Sequence, residues 1–172
     1  MTELKRVGEP FSVVPLSAQH NRTQFSCGTP ALNGYFQSQV SQDVKRRVAS
    51  GFVALTSDQS IAGFYTLAAI SVTLVDLPAP NAKKLLRCPL VPAVRIGRLA
   101  VSSAHQGLGL GAALLANALQ RTASADIAAY VFVVDAKDSQ AARFYARHGF
   151  VSLPDGTLTL FLPLACIAHL VR

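Results

Sequence analysis

Gln106-Gly107-Leu108-Gly109-Leu110-Gly111 places three glycines at alternate positions, after an apolar strand-like run and before a long helical pattern. A helix start leaves backbone N–H groups unpaired and carries a partial positive charge, and glycines without Cβ atoms let a pyrophosphate come close to that backbone. The chemistry this pattern can do is to hold a phosphorylated anion. A P-loop needs Lys and then Ser or Thr after its last glycine, whereas Gly111 is followed by Ala112, Ala113 and Leu114. A dinucleotide fingerprint spaces its glycines G-x-G-x-x-G and needs an acid about 20 positions on; here the nearest acid, Asp126, comes too early. What remains is Gln-x-x-Gly-x-Gly at Gln106, Gly109 and Gly111. By itself it reads either as a phosphate loop or as a glycine-rich strand-to-helix turn without a ligand.

The elements around the loop must come from 172 residues, 51% hydrophobic and 15% charged, which suits one domain with an ample core. Met1 to Pro10 has no apolar leader segment, and the longest uncharged apolar run, Ile61 to Val75, is short for a membrane span. Cys27, Cys88 and Cys166 fit neither a disulfide framework nor a zinc site, and the four histidines show no ligand spacing. The expectation is a cytoplasmic chain, residues 1–172 forming one domain, without metal and without membrane association.

Pro10 to Leu16 reads as a first strand. Thr29-Pro30 is a helix start, with a capping hydroxyl and proline at N1. The helix runs to about Arg47, with Leu32, Tyr35, Phe36, Val40 and Val44 at three- and four-residue steps and Lys45, Arg46 and Arg47 at its negative end. Gly51 to Thr56 and Ile61 to Val75 form a hairpin around Ser57 to Ser60. Ala93 to Val101 leads into the glycine loop, and Ala112 to Arg121 continues as a helix. Ile127 to Asp135 has the near-continuous apolar run of a strand covered on both faces. Asp138 caps a helix reaching His148, Gly149 ends it, and Phe150 to Leu153 with Thr157 to Pro163 closes a hairpin over Pro154-Asp155-Gly156. The fold class is α/β, a single mixed twisted sheet of about six to seven strands flanked by helices.

That order of elements, the Gln-x-x-Gly-x-Gly loop, and Phe144-Tyr145 before Gly149-Phe150 resemble the GNAT acetyltransferases over nearly the whole chain. Phe25-Ser26-Cys27-Gly28, Ala31-Leu32, Ile96-Gly97-Arg98-Leu99-Ala100-Val101, Val134-Asp135-Ala136-Lys137-Asp138 and Leu158-Thr159-Leu160-Phe161-Leu162-Pro163-Leu164 resemble the GNAT toxins of bacterial toxin-antitoxin pairs. The resemblance implies an acetyl-CoA dependent enzyme that acetylates the amino group of aminoacyl-tRNA, blocks translation and is paired with a ribbon-helix-helix antitoxin; a homodimer is the expected assembly. It assigns the pyrophosphate to Gln106, Gly107, Leu108, Gly109, Leu110, Gly111 and Ala112, and the pantetheine arm to the strand Leu99, Ala100 and Val101. It also assigns the catalytic place to Tyr145.

Acyl transfer from a thioester needs a neutral amine. A lysine amine near pKa 10.4 is neutral in well under a thousandth of molecules at about pH 7, whereas an α-amine near 7.7 to 8.0 is neutral in roughly a tenth to a fifth. The only glutamates, Glu3 and Glu9, stand in the amino-terminal segment, so no glutamate is at hand on a central strand to deprotonate a lysine. The residues therefore favour a low-pKa amine. Asp135 could in principle serve as a base, but at the end of a buried strand before a helix it reads rather as a capping or loop-ordering carboxylate. Tyr145 is the candidate general acid, a phenol that can protonate the departing thiolate. Phe144, spaced with Ala141 and His148, reads as a packed face.

Charge gives an independent line on the acceptor. The chain carries +7, and between Asp76 and Asp126 it has six basic residues and no acid. Lys83, Lys84, Arg87, Arg95 and Arg98 lead toward the cofactor loop, and Lys45, Arg46 and Arg47 form a second patch. Such patches attract a polyphosphate acceptor and repel an aminoglycoside, a polyamine or a histone tail. Each residue also has a plain reading as a solvated surface charge. Arg95 and Arg98, three apart on a strand, should face opposite sides. Two other readings share the cofactor loop: acetylation of a protein amino terminus or small amine, and a CoA-binding interaction module without turnover. Leu32 and Phe36 could line an acceptor pocket or the core, and the tail from Leu164 to Arg172 could pack on its own domain or on a second copy.

Overall fold

The computed structural model describes residues 2–5, 10–73, 76–77, 79–84, 89–153 and 156–168. Its strands are β1 (Thr2–Lys5), β2 (Pro10–Pro15), β3 (Ser50–Leu55), β4 (Ile61–Thr73), β5 (Leu90–Val101), β6 (Val131–Asp135), β7 (Val151–Ser152) and β8 (Thr159–Pro163). They form one eight-stranded sheet in the order β1-β2-β3-β4-β5-β6-β8-β7. The sheet is mixed: β5 and β6 run parallel, while the pairs β1/β2, β2/β3, β3/β4, β6/β8 and β7/β8 are antiparallel. The sequence suggested six to seven strands. The additional one is β1, which pairs with β2 from Thr2↔Val13 to Lys5↔Pro10 although its composition gives no strand signal.

The helices are α1 (Pro30–Gly34), α2 (Val40–Lys45), α3 (Ala79–Lys84), α4 (Leu110–Ala123), α5 (Ser139–Arg147) and α6 (Ala165–Ala168). The single helix foreseen up to Arg47 is broken by a π turn, Tyr35–Gln39, between α1 and α2. Thr29 precedes Pro30 in extended conformation, but its hydroxyl makes no capping bond. The strand foreseen from Ile127 starts only at Val131. Ile127 is 87% exposed, and the chain joins the sheet where the Tyr130 amide donates to the Pro92 carbonyl at 2.9 Å. The closing hairpin forms as expected, with Val151 opposite Phe161, while Pro154 and Asp155 of its turn lie outside the described residues.

Two compact units divide the chain: Met1–Ala68 with Gly97–Ala118, and Ala69–Ile96 with Leu119–Arg172. In the first, Phe36 stacks on Phe64 at 4.1 Å and Phe25 meets both edge-on at 4.9 and 5.4 Å. Val40, Val53, Leu55 and Ala100 complete this core, and Leu32 packs against it half-buried. Phe36 is thus a core residue. Gly63 of β4 is needed for the packing: a Cβ there would stand 2.9 Å from both the Ala100 carbonyl oxygen and Leu114 Cδ1. In the second unit β6 is buried up to Val134, as a central strand should be, and Val131 and Val133 pack with Ala93, Leu153 and Phe161. Leu164 is buried and its amide donates to the Tyr130 carbonyl at 2.9 Å, so the tail up to α6 packs on its own unit. Residues 169–172 of that tail lie outside the described residues.

Candidate active site

At the end of β5 a 3-10 turn, Ser103–His105, delivers the chain to the glycine loop, and α4 begins at Leu110. Gly107 (φ +76°) and Gly109 (φ +84°) are left-handed, with nothing within 4 Å of where a Cβ would stand. These two positions need glycine for their backbone, and the space a side chain would occupy is open to a ligand. The Ala113 amide bonds back to the Gly109 carbonyl at 3.1 Å. The amides of Leu110, Gly111 and Ala112 therefore precede the first intrahelical bond and are donors of the kind that bind phosphate.

Gln106 serves the loop differently. Its Nε2 donates to the Cys27 carbonyl at 2.8 Å and to the Val101 carbonyl at 3.0 Å. Both amide protons are taken up, so the side chain fastens the loop to the turn before α1 and to the end of β5. The Ser103 amide reinforces this attachment by donating to Ser26 at 2.8 Å. The adjoining open cavity, about 510 Å³ and lined by Asn21, Gln24, Ser26, Ser60, Ser102 and Ser103 among others, has no charged side chain in its lining.

The parallel ladder of β5 with β6 runs from Ala93↔Val131 to Ile96↔Val134, and Gly97–Val101 continue β5 beyond it. Within that continuation Ala100 is buried in the core, while Leu99 and Val101 are half-buried. Asp138 caps α5 as expected, accepting from the Ala141 amide at 2.8 Å, and Gly149 (φ +93°) ends it. On α5 Tyr145 is 7% exposed, its ring 5.1 Å from that of Phe144 and 5.6 Å from that of Phe150. Burial pushes its phenol up to about 12, so it remains a proton donor over the whole working range. Phe144 is half-buried and packs on the His148 ring at 4.7 Å.

Asp135 is exposed at the end of β6, accepts from the Thr159 hydroxyl at 2.7 Å and pairs with Arg95 at 3.9 Å. Both partners stand on neighbouring strands, so the carboxylate ties β6 to β8 and β5 rather than capping a helix. Lys45 ends α2 and, like Arg46 and Arg47, is exposed; Arg47 adopts φ +61°. Lys83 is exposed on α3, Lys84 ends that helix, and Arg87 lies outside the described residues. Arg95 and Arg98 are both exposed on β5. Sequence reasoning missed the setting of Arg98, whose guanidinium carbon lies 3.8 Å from the centroid of the Tyr35 ring. The spacing of Tyr35 and Asp43 gave no signal of the bond that joins them, because the π turn lies between. Among the described residues no cluster of His, Cys, Asp or Glu is arranged for a metal, and no helix is long and apolar enough to cross a membrane.

The acetyltransferase (GNAT) domain matches residues 83–157, from α3 through the glycine loop and Tyr145. A tRNA-acetylating toxin of Mycobacterium tuberculosis is 33% identical over 81% of this chain and 84% of its own length. A probable toxin of Sinorhizobium fredii, TacT, is 29% identical over 97% of this chain and 96% of its own. The toxin AtaT complexed with acetyl-methionyl-tRNAfMet superposes with a TM-score of 0.86 at 26% identity, covering 94% of this chain and 99% of AtaT. AtaTR bound with acetyl-CoA gives 0.82 at 25% identity, covering 94% and 98%. A left-handed glycine loop opening α4, a buried tyrosine on α5 and these relatives agree: the chain belongs to the GNAT acetyltransferases, in the group that holds the tRNA-acetylating toxins.

Proposed function

We propose that this protein is an acetyl-CoA dependent N-acetyltransferase toxin whose acceptor is the α-amino group of an aminoacyl-tRNA. The backbone of residues 106–112 holds the diphosphate of the coenzyme, with Gly107, Gly109 and the first amides of α4 as its donors, and Leu99, Ala100 and Val101 flank the pantetheine. The acceptor amine attacks the thioester carbonyl, the carbon–sulfur bond breaks, Tyr145 gives its proton to the departing thiolate, and the proton shed by the amine passes to water, from which Tyr145 is reprotonated. The basic residues Lys45, Arg46, Arg47, Lys83, Lys84, Arg87, Arg95 and Arg98 attract the RNA. Acetylating the amine removes its nucleophilicity and so stops translation. The 172 residues act as one domain, in the cytoplasm, as a homodimer restrained by a ribbon-helix-helix antitoxin.

The observation that carries this reading is the loop geometry: two left-handed glycines with open space above them, leading into a helix amino terminus. The relatives support the acceptor, as does the absence of any glutamate beyond Glu9, since an α-amine needs no strong base. The test is incubation with acetyl-CoA and a complete set of charged tRNAs. The expected product is N-acetylated aminoacyl ester on one or a few of them. Transfer to small amines or protein amino termini but to no charged tRNA would replace this reading with the general acetyltransferase. Coenzyme binding without any transfer would leave an interaction module.

A further inference from the structure

Arg98 carries a charge that no carboxylate pairs with among the described residues, and its guanidinium rests on an aromatic ring. Its guanidinium carbon sits 3.8 Å from the centroid of the Tyr35 ring, which is 5% exposed, while Arg98 itself is open to solvent. Tyr35 is held in turn: its hydroxyl donates to Asp43 at 2.9 Å. Burial, and then that bond, push its phenol up to about 12, so the ring stays neutral and protonated. A phenol sharing its proton with a carboxylate presents a more electron-rich face, which strengthens its attraction for the cation above it.

The backbone is pinned as well. The Arg98 amide donates to Thr66 Oγ1 at 3.1 Å, and Gly97 leaves room for that oxygen, since a Cβ there would stand 3.0 Å from it. Arg95 differs, because its guanidinium is paired with Asp135. A guanidinium held over a ring loses little freedom on binding and presents N–H edges that match two oxygens of one phosphate. It stands one residue before Leu99–Val101, the segment assigned to the pantetheine. At the reacting end of an aminoacyl-tRNA the amino acid carboxylate is esterified, so the anions present are phosphates.

We propose that Arg98 grips a phosphodiester close to the aminoacyl end of the RNA acceptor and that Tyr35 is its positioning residue. The proposal rests on the aminoacyl-tRNA reading above, and RNA binding tests it separately from transfer. Deacylated tRNA is titrated at several salt concentrations against wild type, Arg98→Ala, Arg98→Lys, Tyr35→Leu and Tyr35→Phe. Calorimetry with acetyl-CoA checks that each variant is folded. Arg98→Ala is expected to weaken binding about tenfold and to lower the slope of log K on log salt by about 0.7 to 0.9, the share of one phosphate contact.

Arg98→Lys keeps the slope but not the affinity. Tyr35→Leu raises KM for the charged tRNA with kcat within about twofold, and Tyr35→Phe, which keeps the ring, restores most of it. An unchanged slope in Arg98→Ala overturns the proposal, as does a Tyr35→Leu variant that lowers kcat at constant KM. Failure of wild type to bind RNA overturns it too. Transfer that survives with an unchanged slope removes only Arg98's role. A changed slope without transfer to any charged tRNA removes only the acceptor assigned above.

Discussion

Tyr145 has one proton and a setting that keeps it. Its phenol, raised to about 12 by burial, is protonated below that pH and loses its proton only above it. The acceptor behaves oppositely, since an α-amine near pKa 7.7 to 8.0 becomes reactive as pH rises through about 8. The rate is therefore expected to climb to a plateau near about pH 9 and to stay there, with no descending limb near about 10 where an ordinary phenol ionises. Tyr145→Phe should lower kcat by about 10²- to 10⁴-fold with acetyl-CoA affinity unchanged. A descending limb near pH 10 that disappears in the variant would contradict the buried acid. The place of this tyrosine on a helix before Gly149-Phe150 was legible; its depth among Phe144 and Phe150 was not. Gln106 is the contrasting case. Its position in the motif was visible, but its amide is tied to the carbonyl of Cys27, 79 residues away, and a contact at that separation leaves no local pattern.

At the scale of elements, β6 was legible because its residues are apolar throughout, and α5 because its cap and its terminating glycine stand at fixed offsets. The same apolar run misled upstream: Ile127 belongs to a connection, since an uncharged stretch does not by itself tell a strand from the approach to one. The π turn escaped for a related reason. From Phe36 to Val40 to Val44 the apolar steps are all of four, wider than the α-helical average, and they satisfy either winding. With its i→i+5 bonding the wider turn plus one α turn closes over about eight residues, which brings Asp43 under Tyr35. Close approach of β4 to β5 likewise shows in only one residue type. Gly63→Ala should destabilise the fold by about 1 to 3 kcal/mol, because the Ala100 carbonyl it meets is backbone and cannot turn aside. Thermal unfolding should shift down by roughly 2 to 12 °C; an unchanged midpoint would mean the strand moves freely.

Across the whole molecule, the distribution of charge was the most readable property, because a stretch from Asp76 to Asp126 with six cations and no acid needs no structure to be seen. Which cations are already paired among the described residues, as Arg95 is and Arg98 is not, required coordinates. Chain order has its own effect. Both compact units are discontinuous in sequence, the first ending at Ala118 and the second drawing on residues up to the carboxyl end. Synthesis runs from the amino end at about 5 to 20 residues per second, so the glycine loop exists some seconds before Tyr145 and β8 are made. On the reading proposed above, a nascent copy carries its coenzyme loop before its acid, and is incompetent until residue 145 has been added. A nonsense codon anywhere before residue 145 should abolish growth arrest completely when the gene is induced, whereas arrest caused by such a fragment would show that the acid is dispensable. For the toxin proposed above, the acid follows the coenzyme loop by tens of residues, so a copy cut off between them is harmless to the cell that makes it.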